Sequence, residues 1–456
     1  MKTRFLLMAP LLLSGCGMFA ERPDIGALTE SSLPEQPETW RSGDSAGGPV
    51  AVGWIATLDD PALLALVEEA QRNNPNLQTA YYAIGQARAI ARQARSGLFP
   101  AVNYSASASE AGAVSGGSND SYASGLEVGW EIDVWGRVRA ARNAAEYAAF
   151  SAEADYRFAQ YSLAATVAQT YFALIEARLQ VGVAKKSLDA LTATSRIVGA
   201  QRELGAADAY DDSLAKSNLA TAEATLAAAE GSERLIRRAL EVLLGRYPAD
   251  QLAGSDAFPS VPALPATGLP SELLERRPDI IAAGMNVASA FSNVGATRAT
   301  RLPQFSLSGR LSVGALDIAD ILDVDNGTWS LAAALLGPLF DAGLRRAQID
   351  EATATQQQAI ANYAAVALSA FQEVENSIDQ NTIQARRVEA LTRAAAAQNR
   401  AFELAQLRYE EGETNLLDVL LVQSNTIAAD SAVVTAQREQ LDEWIALNLA
   451  LGGSWQ

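Results

Sequence analysis

The stretch LRRAQIDEATATQQQAIANYAAVALSAFQEVENSIDQNTIQARRVEALTRAAAAQNRAFELAQLRYEE, Leu344 to Glu411, contains neither glycine nor proline and stops at Gly412. Either residue would cost roughly 1 to 3 kcal/mol in a helix interior, and Ala, Gln, Glu, Leu and Arg, which dominate the run, are good helix formers. It reads as one helix. At 1.5 Å per residue such a helix is about 100 Å long, so it packs along its length rather than crossing a core. An uncapped pattern of this extent points to a coiled coil or a helical repeat. Val388, Leu391, Ala395, Gln398, Phe402, Ala405 and Tyr409 step by 3 and 4, and Ile360, Tyr363, Ala367, Ala370 and Val374 keep the same steps before them. These are a and d positions, whose small Ala knobs allow close backbone approach.

Upstream of this helix, Phe305 to Val313 and Trp329 to Leu339 alternate large and small residues around an acidic loop, Asp317 to Gly327, and Phe340-Asp341-Ala342-Gly343 leads into Leu344. That is a β-hairpin signature. The same order occurs earlier. Asp60-Pro61 opens a helix with Leu63, Leu66, Val67 and Ala70 on one face, Asn74-Pro75-Asn76 interrupts it, and a second helix runs to about Gly97. Val102 to Ala108 and Leu126 to Val134 then alternate about a Gly/Ser/Asn turn, and a second long helical pattern runs from Val138 to Leu204. Pro303 follows Pro278 at the spacing at which Pro100 follows Pro75, and Gly205 precedes Gly412 by the same shift of about 207 that relates Val181–Arg202 to the seam at Val388–Tyr409. The sequence reads as a tandem duplication, residues 59–268 and 269–456, each copy being helix, hairpin, long helix, turn and returning helix.

The hairpins decide the class. Strands of roughly 8 to 12 residues have the length of tilted membrane-spanning strands, and open edges cannot face lipid. One chain supplies four, fewer than the eight of the smallest bacterial barrels. Three chains would supply twelve, and a closed cyclic trimer is an ordinary symmetry. Hairpins capping a soluble helical bundle are the plainer alternative.

The 456 residues carry 53 acidic and 35 basic side chains, a net charge of −18, which disfavours nucleic acid as a partner. With no His, imidazole catalysis and His metal ligands are excluded. Lys2 and Arg4 precede a short apolar core, Phe5 to Leu13, too short to span a bilayer. Leu13-Ser14-Gly15-Cys16 resembles the bacterial lipobox, which implies a signal peptide over 1–15 and an acylated leader over 16–58. Cys16 is the single Cys, so no intramolecular disulfide exists. Gly17 rather than Asp follows it, which implies the outer membrane, and residues 17–50, rich in Pro, Ser, Gly and Glu, read as a flexible or extended leader.

Taken together, these features resemble the TolC-like outer-membrane efflux factors, in particular the lipoprotein (NodT-type) branch that serves RND tripartite systems. The resemblance covers nearly all of the mature chain. Its most specific part is Leu269-Pro270-Ser271-Glu272-Leu273-Leu274-Glu275-Arg276-Arg277-Pro278-Asp279-Ile280; Trp130 to Arg137, Pro338 to Asp341, Arg408-Tyr409 with Gly412, and Leu449 to Trp455 also match. The resemblance implies a mainly α fold with a membrane β-barrel portion: a homotrimer with a twelve-stranded β-barrel in outer-membrane lipid and a long α-helical barrel crossing the periplasm. It implies a periplasmic adaptor and an inner-membrane RND transporter as partners, no cofactor or metal, and passage of drugs or other toxic small solutes to the outside. Gly205 and Gly412 mark adaptor-facing turns. Arg276, Arg277, Pro278 and Asp279 form a structural linker motif with an ion-pair network.

Two departures stand out. Gly284 replaces a Glu of the linker signature, removing a helix contact. Leu417-Asp418-Val419-Leu420 continues as Leu421-Val422-Gln423-Ser424 where the family carries a constricting Asp and a latching Arg, so Leu421 and Ser424 argue against an electrostatic latch. An apolar ring including Leu421, with Leu417, Asp418, Ser424 and Asp211 around the periplasmic gate, is expected to close by dewetting.

No catalytic site is expected. Glu131 and Asp133, two apart on a strand, share a face toward the lumen; Asp211, Asp212 and Asp418 read as caps or solvated residues at helix starts; Gly182, Gly199 and Gly231 read as helix packing points. A type I secretion conduit for polypeptides is the alternative within this fold, and a structural coiled coil the alternative outside it.

Overall fold

A computed structural model describes residues 19, 21–42, 50 and 52–455; Cys16 lies outside the described residues. Its helices are α1 (Ile25–Thr29), α2 (Pro61–Asn73), α3 (Pro75–Ser96), α4 (Arg137–Glu203), α5 (Ala209–Leu243), α6 (Pro270–Arg276), α7 (Pro278–Ala299), α8 (Leu344–Glu410) and α9 (Leu416–Ala450). The strands are β1 (Ala101–Gly112), β2 (Ser118–Ile132), β3 (Gln304–Ala315) and β4 (Gly327–Leu336). The long run quoted above is one helix, α8, with 67 residues, and α4 also has 67. These two begin 207 positions apart (344 − 137), as do the 35-residue helices α5 and α9 (416 − 209).

The chain divides into two compact units: residues 1–34, 81–155 and 279–367, and residues 35–80, 156–278 and 368–456. The first holds a single antiparallel sheet in the order β1-β2-β3-β4. The two hairpins are joined through β2 and β3, from Tyr122↔Ala315 to Ile132↔Phe305, and all three ladders run without a bulge. β4 stops at Leu336, short of the Leu339 expected from alternation, because Pro338 cannot donate to a ladder. α1 packs in the same unit. A Cβ at Gly284 would lie 3.3 Å from Ile25 Cγ2, so the place of the missing Glu contact is taken by the leader.

The second unit has a core of Trp54, Ile55 and Leu58, the apolar face of α2, Ala164–Ile175 of α4, Leu240 and Leu244 beside α5, and Leu441, Trp444 and Ile445 of α9. Trp54 and Trp444 meet edge to face at 6.0 Å, and each fully buried large side chain contributes about 1.5 to 3 kcal/mol. Asn74 ties three helices: its side chain donates to the Leu243 carbonyl (2.9 Å) and accepts from the N–H groups of Asn76 and Leu77, capping α3. In the leader, read as flexible or extended, the segment around Trp40 is bound to the rest of the chain. Trp40 is 4% exposed, its indole N–H donates to the carbonyls of Thr267 and Gly268, and the N–H groups of Arg41 and Ser42 donate to the Glu375 carboxylate.

The linker motif lies largely in this unit, with each arginine engaged separately. Arg276 pairs with Glu272 on its own helix at 2.9 Å. Arg277 is buried, pairs with Glu373 at 2.5 Å, and lies over the Phe158 ring at 5.7 Å.

Asp442 on α9 pairs with Arg438, which also reaches Glu176 of α4 at 2.5 Å, and its Oδ1 has no hydrogen-bond partner among the described residues. Burial pushes its carboxyl up from 3.8 to about 7, opposed by Arg438 and reinforced by Glu176, Glu443 and Glu439. The folded chain therefore holds a proton that the unfolded chain releases between these values, and stability falls as pH rises through that window. Asp442→Asn, neutral throughout, is expected to be about 2 kcal/mol more stable than the wild type at pH 8 and equal only near pH 3, below the ordinary carboxyl value, discounting a shift of about three units for partial exposure. Thermal unfolding at the two pH values checks this; an equal gain at both would remove the buried charge as its cause.

Candidate functional site

The sheet has two chemically distinct faces, fixed by the ladders. One carries Val102 and Tyr104, Leu126, Val128, Trp130 and Ile132, Phe305, Leu307 and Leu311, and Trp329, Leu331 and Leu335. The other carries Asn103 and Ser105, Glu127 and Glu131, Ser306, Ser308 and Arg310, with Glu127 directly across from Arg310. β1 and β4 are edges, each bonded on one side within this chain. A sheet apolar on one face, polar on the other and open at both edges can separate hydrocarbon from water once its edges are paired.

The carboxylates Glu131 and Asp133 do not form a catalytic pair. Glu131 makes two hydrogen bonds to Arg137, at 2.9 and 2.6 Å, while Asp133 lies past the end of β2 and accepts from the N–H groups of Val138 and Arg139, capping α4. Their work is to fix the angle between strand and long helix. Among the described residues no group of His, Cys, Asp and Glu is arranged to hold a metal ion.

At the other candidate region, α4 and α8 end on the same motif. Gly205 and Gly412 have φ of 75° and 76°, the Ala206 N–H donates to Gln201 at 2.7 Å, and the Glu413 N–H donates to Arg408 at 2.8 Å. A Cβ at either glycine would meet nothing within 4 Å. The caps that follow were not singled out in the sequence: Asp208 accepts from Tyr210 and Asp211, and Asn415 accepts from Asp418. They occupy equivalent places, 207 apart, directly after each turn, and that repetition was the available signal. Asp212, expected to be capping or solvated, is instead buried and bonded to Arg202 and, at 2.9 Å, to Lys216, which hold its carboxyl below the usual range.

α4, α5 and α9 meet over Leu191, Val198, Ala215, Ala222, Leu416 and Leu420, and Tyr409 of α8 packs against them. Leu417, Asp418, Leu421 and Ser424 share the exposed face of α9, the two leucines being 57% and 60% exposed, while Leu416, Val419, Leu420 and Gln423 face inward. Asp418 accepts from the Thr414 hydroxyl at 2.9 Å. Asp211 does not join that row through any such bond; it stands near Tyr409, whose phenol is pushed up by burial and by the Asp211 charge. Tyr409 donates to Gln201 Oε1 at 2.9 Å, a tie between the ends of α4 and α8 that heptad reading could not specify. Gly182, Gly199 and Gly231 are not packing points within this chain, since a Cβ at each would meet open space. α9 is long and apolar enough to cross a membrane by length and composition, but Leu441, Trp444, Ile445 and Leu447 are packed into the second unit's interior.

The chain belongs to the outer membrane efflux protein family, which it matches over residues 66–246 and 269–453. It is similar to the pyoverdine export outer membrane protein OpmQ of Pseudomonas aeruginosa, 31% identical over 473 residues covering 100% of this chain and 98% of OpmQ. It is also similar to the cation efflux system protein CusC of Escherichia coli, 28% identical over 98% of this chain and 97% of CusC. Among solved structures, the open-state MtrE outer membrane channel of Neisseria gonorrhoeae shares 31% identity at a TM-score of 0.80, covering 93% of this chain and 98% of MtrE. The protein is an outer-membrane channel component of an efflux pump and not an enzyme. Nothing in these comparisons supports the polypeptide-secretion alternative.

Proposed function

We propose that three copies of this chain pair their β1 and β4 edges into a twelve-stranded barrel, continued by the long helices as a periplasmic conduit. Drugs or other toxic small solutes pass through it from an RND transporter and a periplasmic adaptor to the outside. The observation that carries the reading is a four-stranded sheet with one apolar face and two unpaired edges: in lipid those edges cost several kcal/mol per unsatisfied group, so closure must come from other copies. Cys16 anchors each copy by acylation, residues 59–268 and 269–456 form two copies of one unit, and the exposed turns at Gly205 and Gly412 receive the adaptor. Arg276, Arg277, Pro278 and Asp279 serve as the structural linker between the copies.

Leu417 and Leu421 supply an apolar constriction, with Asp418 held by Thr414, Asp211 and Tyr409 beside it, and Ser424 in place of a latching cation. Planar-bilayer recording of the purified protein tests both levels. Discrete trimer-scale channels are expected, with a closed state whose leak rises several-fold in Leu421→Ser, because a hydroxyl rewets the constriction. Absence of channels would refute the conduit, and channels with unchanged closed-state leak would refute the leucine gate alone.

A further inference from the structure

The loop between β3 and β4 does not project away from the sheet. It turns back through a 3-10 segment, Ile318–Leu322, and the Ser124 hydroxyl donates to the Ile321 carbonyl at 2.8 Å. The ladders have no bulge, so Ser124 shares a face with Tyr122, Leu126, Val128 and Trp130, across from Val313 and Ala106. The loop is thus bound on the apolar side of the sheet. Ser124 is the one β2 position between Tyr122 and Ile132 on that face with a bare hydroxyl, and it is only 8% exposed. A lone hydroxyl turned toward hydrocarbon would cost about 1 to 3 kcal/mol, which the Ile321 carbonyl offsets.

The other hairpin behaves differently: its turn closes tightly, with the Ala113 N–H donating to Gly117 and the Gly116 N–H to Ala113. In the β3–β4 loop, Leu316, Ile318 and Leu322 are 81%, 63% and 79% exposed. Asp317 and Asp323 beside them serve the turn, since Asp317 accepts from the Ala319 N–H and Asp323 from the Asp325 N–H, both at 3.0 Å. Three large apolar side chains are left uncovered, continuous with the apolar sheet face. Such a segment is stabilised by lying in a membrane interface, where apolar groups insert and carboxylates stay in water.

We propose that residues 316–326 lie on the outer side of the barrel wall and seat Leu316, Ile318 and Leu322 in the outer-leaflet lipid at the headgroup–acyl boundary, fixing the depth of the barrel at its outer rim. This rests on the barrel reading above. The test places a nitroxide at Leu322→Cys in a Cys16→Ser background of the full chain, reconstituted in phospholipid vesicles. Its collision with oxygen and with a water-soluble nickel chelate is compared with labels at Leu331→Cys on the apolar face and Asp120→Cys beside the short turn. The Leu322 label is expected to fall between Leu331 and Asp120, with an oxygen-to-nickel ratio several-fold above Asp120, and to lose that preference when Ser124→Ala frees the loop. A Leu322 label as aqueous as Asp120, with Leu331 in lipid, overturns the loop assignment alone. An aqueous Leu331 label overturns the barrel reading and this inference with it.

Discussion

Gly245→Ala is expected to cost about 4 kcal/mol, from roughly a quarter to most of an ordinary folding margin of about 5 to 15 kcal/mol. Gly245 ends α5 at φ 74°, a conformation in which a side chain costs roughly 1 to 2 kcal/mol. Its added Cβ would also lie 2.5 Å from the Asn73 carbonyl oxygen and 3.0 Å from the carbonyl carbon. That backbone cannot yield, because the next residue, Asn74, is bonded to Leu243 and caps α3. Overpacking of this kind costs a further 1 to 3 kcal/mol. Gly412 provides the control: same motif, φ 76°, and nothing within 4 Å of a Cβ. Gly412→Ala should therefore lose only the conformational part, about 1 to 2 kcal/mol. Thermal unfolding of the two purified variants measures the difference; equal losses would mean that contact with Asn73 carries no energy.

That pair also shows what was legible in the sequence. A glycine at the end of an unbroken helical run is readable as a stop, as at Gly412 and, by the repeat, at Gly205. Whether the cap is packed or open depends on which distant segment lies against it, and neither spacing nor composition encodes that. The same division runs through the chain. Long helices and hairpins follow from local periodicity, and α8 ends one residue from where Gly412 predicted. The β2–β3 pairing joins segments about 190 residues apart (304 − 118 = 186) and has no local signature. In the leader, Pro, Ser and Gly report chain entropy, while the binding of Trp40 to its two carbonyl partners has no local signature. Asp133 was placed on the strand by alternation, yet the backbone leaves the sheet after Ile132 and turns its carboxylate to the helix start. At the helix ends Leu417 and Leu421 stand out through the family resemblance, whereas the Tyr409–Gln201 tie needs the relative rotation of two helices.

Leu331→Lys is expected to abolish the assembled channel, while Ala332→Lys, one residue along the same strand, leaves it in place. Leu331 is 68% exposed on the apolar face and sits across from Gly309, which has no side chain to shield a charge. A lysine facing lipid near the membrane midplane costs about 2 to 4 kcal/mol, and the proposed trimer would carry the change three times, roughly 6 to 12 kcal/mol per assembly. Ala332 lies across from Ser308 on the polar face, where a lysine projects into water and its charge remains solvated. Heat-resistant oligomer on gels, abundance in outer-membrane fractions, and drug resistance of a complemented deletion strain should all fall for Leu331→Lys and stay near wild type for Ala332→Lys. Loss in both variants would show a sheet buried on both faces. Tolerance of both would show strands that never meet hydrocarbon, because no rearrangement of a closed barrel can turn residue 331 to the lumen without turning residue 332 to the lipid.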